Sequence, residues 1–346
     1  MLRVVNLKAL KKKGLESSSE RPPRNAPTSS DRVRRRLATC ERCRYCSAVV
    51  ELPLAGLSFS LVGPGRVGRS LAQWARAAGA ELSQVAGRSA GADLGGGLPR
   101  AISVGELASA GDDFVLLAVP DRTLPAVAAE LARRPQAAVV LHTAGSLDAA
   151  VLAPLRQAGS AVGSFHPLKA FPRPLPDPGE ARGIVFAVDG DPAARVLACR
   201  LARAWEAVPV EIPAAARPLY HLAASLAAGG AVTLLSLATE LAGRLELPPE
   251  AEQAVARGYL ELARGALAAA DAADSDDPAQ ALTGPVARGD LTTVRRQLDA
   301  LRHVAPEKLP LALHLARETL RQQSRLGPLG EQQQALLAEI EKLLAL

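Results

Sequence analysis

The chain has 346 residues, 48% hydrophobic and 22% charged, which is enough for two domains with a sizeable core. Its formal charge of +6 is unevenly carried: residues 1–56 hold 13 Lys and Arg against 5 Asp and Glu, and the remainder 28 against 30. With a slightly acidic body and only 3% aromatic residues, the folded part lacks a basic, base-stacking face, which argues against nucleic acid as a partner.

Residues 1–56 contain Lys11-Lys12-Lys13, Ser17-Ser18-Ser19, Pro22-Pro23 and Arg34-Arg35-Arg36 without an apolar period, and read as a disordered basic tail. No apolar secretory segment stands there, so a cytoplasmic protein is expected. Met1 is the only methionine, which suggests a native start near Val50 to Leu57. Cys40, Cys43 and Cys46 have the spacing of part of an iron-sulfur or zinc site but lack a fourth ligand, and no metal is expected. Cys199, within a helical pattern, is expected to be a small buried apolar residue.

The strongest signal begins at Leu57. An alternating run to Val62 leads into Gly63-Pro64-Gly65-Arg66-Val67-Gly68, and a helix follows with Val67, Leu71, Trp74 and Ala78 on one face. Strand, glycine turn and helix in this order make a dinucleotide-binding fingerprint. Gly63 is read as the tight turn, Gly65 as the point where a pyrophosphate meets the backbone, and Gly68 as the close contact between helix and strand. A second strand, Leu82 to Ala86, ends in Gly87-Arg88-Ser89, where a ribose-binding acid usually stands. An arginine there favours a 2'-phosphate, hence NADP.

Further strands are expected at Asp113–Val119, Ala138–His142, Ala161–Phe165, Ile184–Val188 and Pro209–Ile212. Asp121 and Ser146 are read as caps of the helices after the first two, and a further helix is expected from Pro192 to about Trp205. Together these give a doubly wound, Rossmann-like parallel sheet over residues 57–212. From residue 213 onward the strand signals stop, and an all-α domain runs to 346. Within it, residues 222–239 carry no charge. Their Ala, Gly, Ser and Thr content predicts a buried, close-packed helix rather than a membrane span, and the apolar helices of this domain suit a homodimer interface.

Ligands of doubly wound sheets lie beyond the carboxyl ends of the strands. Gly63, Pro64, Gly65, Arg66, Val67, Gly68, Arg88 and Ser89 are therefore expected to bind cofactor, joined by Val119 and Pro120 and by His142. Hydride transfer also needs a proton donor and positive charge near the reacting atom. In Ser164-Phe165-His166-Pro167-Leu168-Lys169, His166 is the candidate acid or base and Lys169 the candidate cation. His221 could face the same cleft or simply pack. In the helical domain, residues 281–290 (ALTGPVARGD) offer Thr283 and Arg288 to an anionic substrate, while Asp290 suits a helix N-cap.

The segments Gly63–Gly68, Leu116–Asp121, His142–Ser146, Gly163–Phe171 (GSFHPLKAF) and Ala281–Asp290 resemble those of bacterial proteins that join a Rossmann-like NADP-binding domain to a helical domain of unknown function 2520. These are similar to the 6-phosphogluconate dehydrogenase-like superfamily of oxidoreductases. The resemblance covers residues 57 to about 302 and implies NADP-dependent hydride transfer to or from a small, anionic metabolite. The chain departs from the family pattern at three places. Ala228-Gly229 stands where the family commonly has Ser-Asn, Gln297 where it has His, and Lys169 where it has Gln. The lost asparagine also admits a rival reading, a non-catalytic NADP-binding sensor or scaffold.

Overall fold

The computed structural model describes residues 54–272 and 277–345. The readings of the basic tail and of Cys40, Cys43 and Cys46 lie outside the described residues. Leu54, ahead of the boundary expected at 57, is fully buried beneath the first strand. The chain forms two compact units that divide between Ala224 and Ser225, later than the 212/213 boundary read from the sequence.

The first unit is built on a seven-stranded sheet: β1 (Ser58–Val62), β2 (Glu81–Ala86), β3 (Phe114–Leu117), β4 (Val139–His142), β5 (Ala161–Pro167), β6 (Val185–Gly190) and β7 (Val208–Glu211). Their spatial order is β2-β1-β3-β4-β5-β6-β7. All neighbours pair in parallel except β5 and β6, so β6 and β7 run against the other five. The chain leaves β1 to one side for β2 and returns to the other for β3, which puts the topological switch between β1 and β3.

Helices cover both faces, which is why the central strands read as continuous apolar runs. Phe59, Leu61, Phe114, Leu116, Val139, Leu141 and Phe165 pack on one face with Leu71 and Trp74 of α1 (Arg66–Ala77) and Leu197 and Leu201 of α4 (Pro192–Ala204). Val62, Val115, Leu117, Val140 and Val162 pack on the other with Leu124, Ala128 and Leu131 of α2 (Leu124–Leu131) and Leu155 of α3 (Ala153–Gln157). The two serines of β1 are accommodated by acids ahead of β3. Buried Ser60 donates to Asp112 at 2.5 Å, and the Ser58 N–H donates to Asp113 at 2.9 Å. Cys199, expected to be buried, is partly buried against this core.

After β7 come α5 (Arg217–Ser225), a π-helical turn (Leu226–Gly230) and α6 (Ala231–Ala242). The sequence predicts burial for this stretch, but Leu222, Leu226 and Val232 are 54–64% exposed. Small residues permit close packing without supplying a neighbour. By length and composition alone, Ala214–Ala242 could cross a membrane, at a mean hydropathy of 1.7. The second unit continues with α7 (Pro249–Asp271), α8 (Pro285–Arg288), α9 (Leu291–Val304), α10 (Leu309–Leu326) and α11 (Glu331–Leu344). Its core joins Val294 and Leu298, Leu313 and Leu320, and Leu336 and Ile340. No strand occurs after β7 among the described residues.

Gly63 holds φ at +91°, and a Cβ there would lie 2.5 Å from the Ala118 carbonyl oxygen; at Gly65 a Cβ would meet nothing within 4 Å. Gly63→Ala is therefore expected to cost roughly 1–3 kcal/mol of unfolding free energy by urea denaturation, from backbone strain and collision together. Gly65→Ala should stay within about 0.5 kcal/mol of wild type.

Candidate active site

The glycine turn closes tightly. The Gly63 N–H donates to the Ala86 carbonyl and the Gly65 N–H to the Gly63 carbonyl, both at 2.8 Å. A Cβ at Gly68 would run into the Gly63 carbonyl and lie 3.1 Å from the Ala118 Cβ, so the absence of a side chain lets α1 sit directly on the turn. Gly65 provides no side-chain cap and the first turn contains no acid. The N–H groups of Arg66, Val67 and Gly68 therefore lack intrahelical acceptors and carry the positive end of the helix dipole. Arg66 reaches across to the Pro172 carbonyl at 3.3 Å.

Arg88 and Ser89 follow β2 and are exposed, and Arg88 enters no ion pair among the described residues. Val119, partly buried, and Pro120, exposed, follow β3; the Val119 side chain would stand 2.8 Å from a Cβ at Gly63. Open space over Gly65, bare N–H groups and an uncommitted arginine beyond β2 fit a dinucleotide carrying a 2'-phosphate.

The cap readings change. Asp121 caps no helix; its carboxylate accepts from the Ser146 hydroxyl at 3.1 Å and ties the end of β3 to the end of β4. Asp148 takes the capping role after β4, accepting from the Ala150 N–H at 2.9 Å. Its position two residues nearer the helical turn gives it the reach that Ser146 lacks.

His142 differs more sharply from its expected cofactor role. It is fully buried, its Nδ1 accepts from the Ala144 N–H at 3.2 Å, and its Nε2 donates to the Asp148 carbonyl at 3.0 Å. No ring nitrogen remains for a ribose or an amide. Burial, with the Arg217 charge adding to it, lowers its pKa to about 4 against the Asp148 hydrogen bond. Lys169 is also withdrawn: its Nζ pairs with Glu180 at 3.1 Å.

His166 does reach a strand end among other reactive groups. Its Nδ1 lies 3.1 Å from the Tyr220 hydroxyl, and its ring meets Tyr220 and His221 edge-on, each at 5.7 Å between centroids. Gly145, after β4, completes the wall. A Cβ there would lie 2.8 Å from His166 Nε2 and collide with the His221 ring, so only glycine lets the rings approach. Burial first, then the neighbouring His221 and Arg217, lowers the His166 pKa to about 4. Burial raises the Tyr220 pKa, with Arg217 opposing it. Both groups are thus neutral near pH 7, joined by one hydrogen bond between Nδ1 and the phenol oxygen.

Tyr220, His221 and Arg217 lie on α5 at the i, i+3, i+4 spacing that places them on one helical face. Sequence reasoning raised only His221. The spacing Arg217-x-x-Tyr220-His221 was the available signal. Thr283 and Arg288 are exposed in the second unit. There Asp290 caps α9 by accepting from the Thr293 N–H at 3.0 Å, and Gln333 donates to the Ala287 carbonyl at 2.6 Å. Much of the ALTGPVARGD segment is thus used to hold the helices of its own unit. No group of acids, histidines and cysteines suited to a metal occurs among the described residues.

The sheet order and glycine turn define a Rossmann-like α/β unit, followed by a helical C-terminal unit. Residues 45–167 match the model of a Rossmann-like domain, and residues 184–328 that of Domain of unknown function (DUF2520). The chain thus carries both of these domains in sequence. No curated protein sequence matches it. Among solved structures it is similar to the Bacteroides fragilis protein BF3122, assigned as an NADP oxidoreductase (19% identity, 77% of this chain and 98% of that one, TM-score 0.62). It is similar also to protein TM1727 of Thermotoga maritima (20%, 77% and 98%, TM-score 0.56). A third is a reductive aminase of Aspergillus terreus solved with NADPH and ethyl-5-oxohexanoate (17%, 84% and 94%, TM-score 0.50). At these identities the likeness is one of fold.

The two nitrogens of His142 have a consequence for stability. In the unfolded chain this histidine titrates near 6.5, whereas the folded state takes up its proton only near pH 4. Its contribution is fully present above about pH 6.5 and is lost as pH falls from there to 4, roughly 3 kcal/mol in all. Urea denaturation at pH 7 and pH 4.5 should show this loss, and a His142→Gln variant should show a correspondingly smaller difference between the two.

Proposed function

We propose that the protein is an NADP-dependent oxidoreductase that moves a hydride between NADP(H) and a carbonyl or imine carbon of a small, anionic metabolite. The observation that carries this reading is the pairing of an uncapped α1 start over an open Gly65 with a neutral His166–Tyr220 couple at the end of β5, in the same unit. When bound, NADPH supplies the hydride. Arg66, Val67 and Gly68 would hold its pyrophosphate through backbone N–H groups, and Arg88 and Ser89 its 2'-phosphate. His166 would give the Nε2 proton to the substrate oxygen or nitrogen. Tyr220 would act as a positioning residue that holds the imidazole in its Nε2–H tautomer. The positive charge of Arg217 favours the negative charge that builds on the reacting heteroatom.

The exposed apolar side chains of Leu222, Leu226, Val232 and Leu262 favour a second copy of the chain as the partner that covers them, making a homodimer. An interface suits Ala214–Ala242 better than a membrane span, because Arg217, Tyr220 and His221 at its start are engaged with the ends of the strands. A cytoplasmic location belongs to the same reading. The non-catalytic alternative draws on Gly229, which offers no side chain where the resembling family has an amide.

Three outcomes are expected. NADPH should raise the melting temperature more than NADH, and Arg88→Ala should erase that difference; equal protection of wild type by the two nucleotides would remove the 2'-phosphate assignment. Gly65→Ala should keep wild-type stability but bind NADPH at least about tenfold more weakly by calorimetry, since the added methyl stands where the pyrophosphate approaches. In a screen of 2-oxo acids, imines and aldehydes with NADPH, His166→Gln should lower turnover about 10²-fold without changing NADPH affinity. Nucleotide binding with no turnover on any of these would leave the sensor reading.

A further inference from the structure

We propose that Arg217 is the substrate anchor of this site, and that the group it takes is a carboxylate. The inference rests on the oxidoreductase reading above and names the substrate class for it. Arg217 opens α5 and is fully buried, yet none of its Nε, Nη1 and Nη2 atoms has a hydrogen-bond partner. Its ion partner is Asp189, at 3.6 Å from Nε to Oδ2, too long for a hydrogen bond. The Asp189 oxygens are already engaged, Oδ1 by the Gly190 N–H at 2.7 Å and Oδ2 by the Ala149 N–H at 3.4 Å. Asp189 therefore offsets the charge of the guanidinium without satisfying its donors.

A guanidinium stays charged in a protein, and buried donors are normally satisfied. Five N–H groups without an acceptor at the edge of a catalytic pair call for a planar acceptor with two oxygens on one atom. Carboxylates and phosphates share that chemistry. The nearby negative charges of Asp189 and Asp148 favour the singly charged carboxylate over a phosphate dianion. Arg217 has no hydrogen bond to give up on meeting a ligand, and only its 3.6 Å ion pair with Asp189 to share. It lies one helical turn before Tyr220 and His221, and its charge acts on both His166 and Tyr220. A carboxylate held there places the neighbouring carbon beside the proton donor, which is the arrangement of a 2-oxo or 2-imino acid.

The test uses the full chain and acetate as the probe, with chloride and inorganic phosphate at matched ionic strength as controls, and reads the His166 ring by NMR. Acetate should raise the His166 pKa saturably in wild type, because a bound carboxylate offsets the Arg217 charge, and chloride should not. In Arg217→Lys, which keeps the charge but loses the fork, the acetate midpoint should rise at least fivefold. In Arg217→Met the response should vanish. An equal response to acetate and chloride in wild type overturns the proposal without recourse to any variant. A wild-type acetate response in Arg217→Met does the same, and a stronger response to phosphate overturns the carboxylate assignment. NADPH affinity, measured in parallel, should be unchanged in both variants. Failure of wild type to bind NADPH would sink the oxidoreductase reading while leaving the acetate result to stand or fall alone.

Discussion

The close approach of the Gly63 turn to the Ala118 carbonyl is the constraint from which the rest of the site follows. A parallel sheet with helices on both faces leaves only the strand ends for chemistry. At the β1/β3 switch two strand ends must pass within contact of each other and of α1. Gly63 makes this possible by taking φ +91° where a side chain would strike Ala118, and Gly68 does so by letting the helix rest on the turn. Once α1 is seated there, its first N–H groups are fixed in space and bare. The binding potential is thus a consequence of packing, with no polar side chain needed to build it.

From that edge the polar groups extend in strand order. Ser146 and Asp121 join the ends of β3 and β4, His142 binds the turn after β4 through both nitrogens, and Gly145 brings that turn against His166 at the end of β5. The two histidines lie on the same face of the sheet by strand alternation but have opposite fates. Both ring nitrogens of His142 bond to the backbone, whereas Nδ1 of His166 faces the Tyr220 hydroxyl. Burial lowers both pKa values, so the difference between them is one of partners and not of basicity.

The first unit was legible because its signals are local. A glycine turn between an apolar strand and an amphipathic helix, followed by apolar runs at regular intervals, fixes a doubly wound sheet with little help from tertiary contacts. The position of His166 near a strand end was legible for the same reason. Lys169 was not, because its partner Glu180 sits in an irregular stretch that no periodicity describes. Parity did not separate the two histidines, since His142 follows Val140 and His166 follows Val162 at an even spacing onto the same face of the sheet. The exposure of Leu222, Leu226 and Val232 was illegible in principle, since composition states that a helix is able to be buried and not that anything buries it.

Arg217 shows the same limit from the other side. As a sequence it is an arginine at a helix start, where a positive charge opposes the dipole and a solvent-facing position would be the ordinary choice. The fold instead encloses it, beside an aspartate whose oxygens are already taken by backbone donors. Replacing such a pair by apolar residues is often neutral or stabilising, so burial of this arginine is poorly explained as a stabilising device. A charge kept where stability does not require it, next to a neutral imidazole and phenol, is better explained by what it can bind. The same charge helps hold His166 unprotonated, so an anion arriving at Arg217 would also make the imidazole more basic. Substrate binding and proton transfer would then be coupled through one guanidinium, without any movement of the sheet.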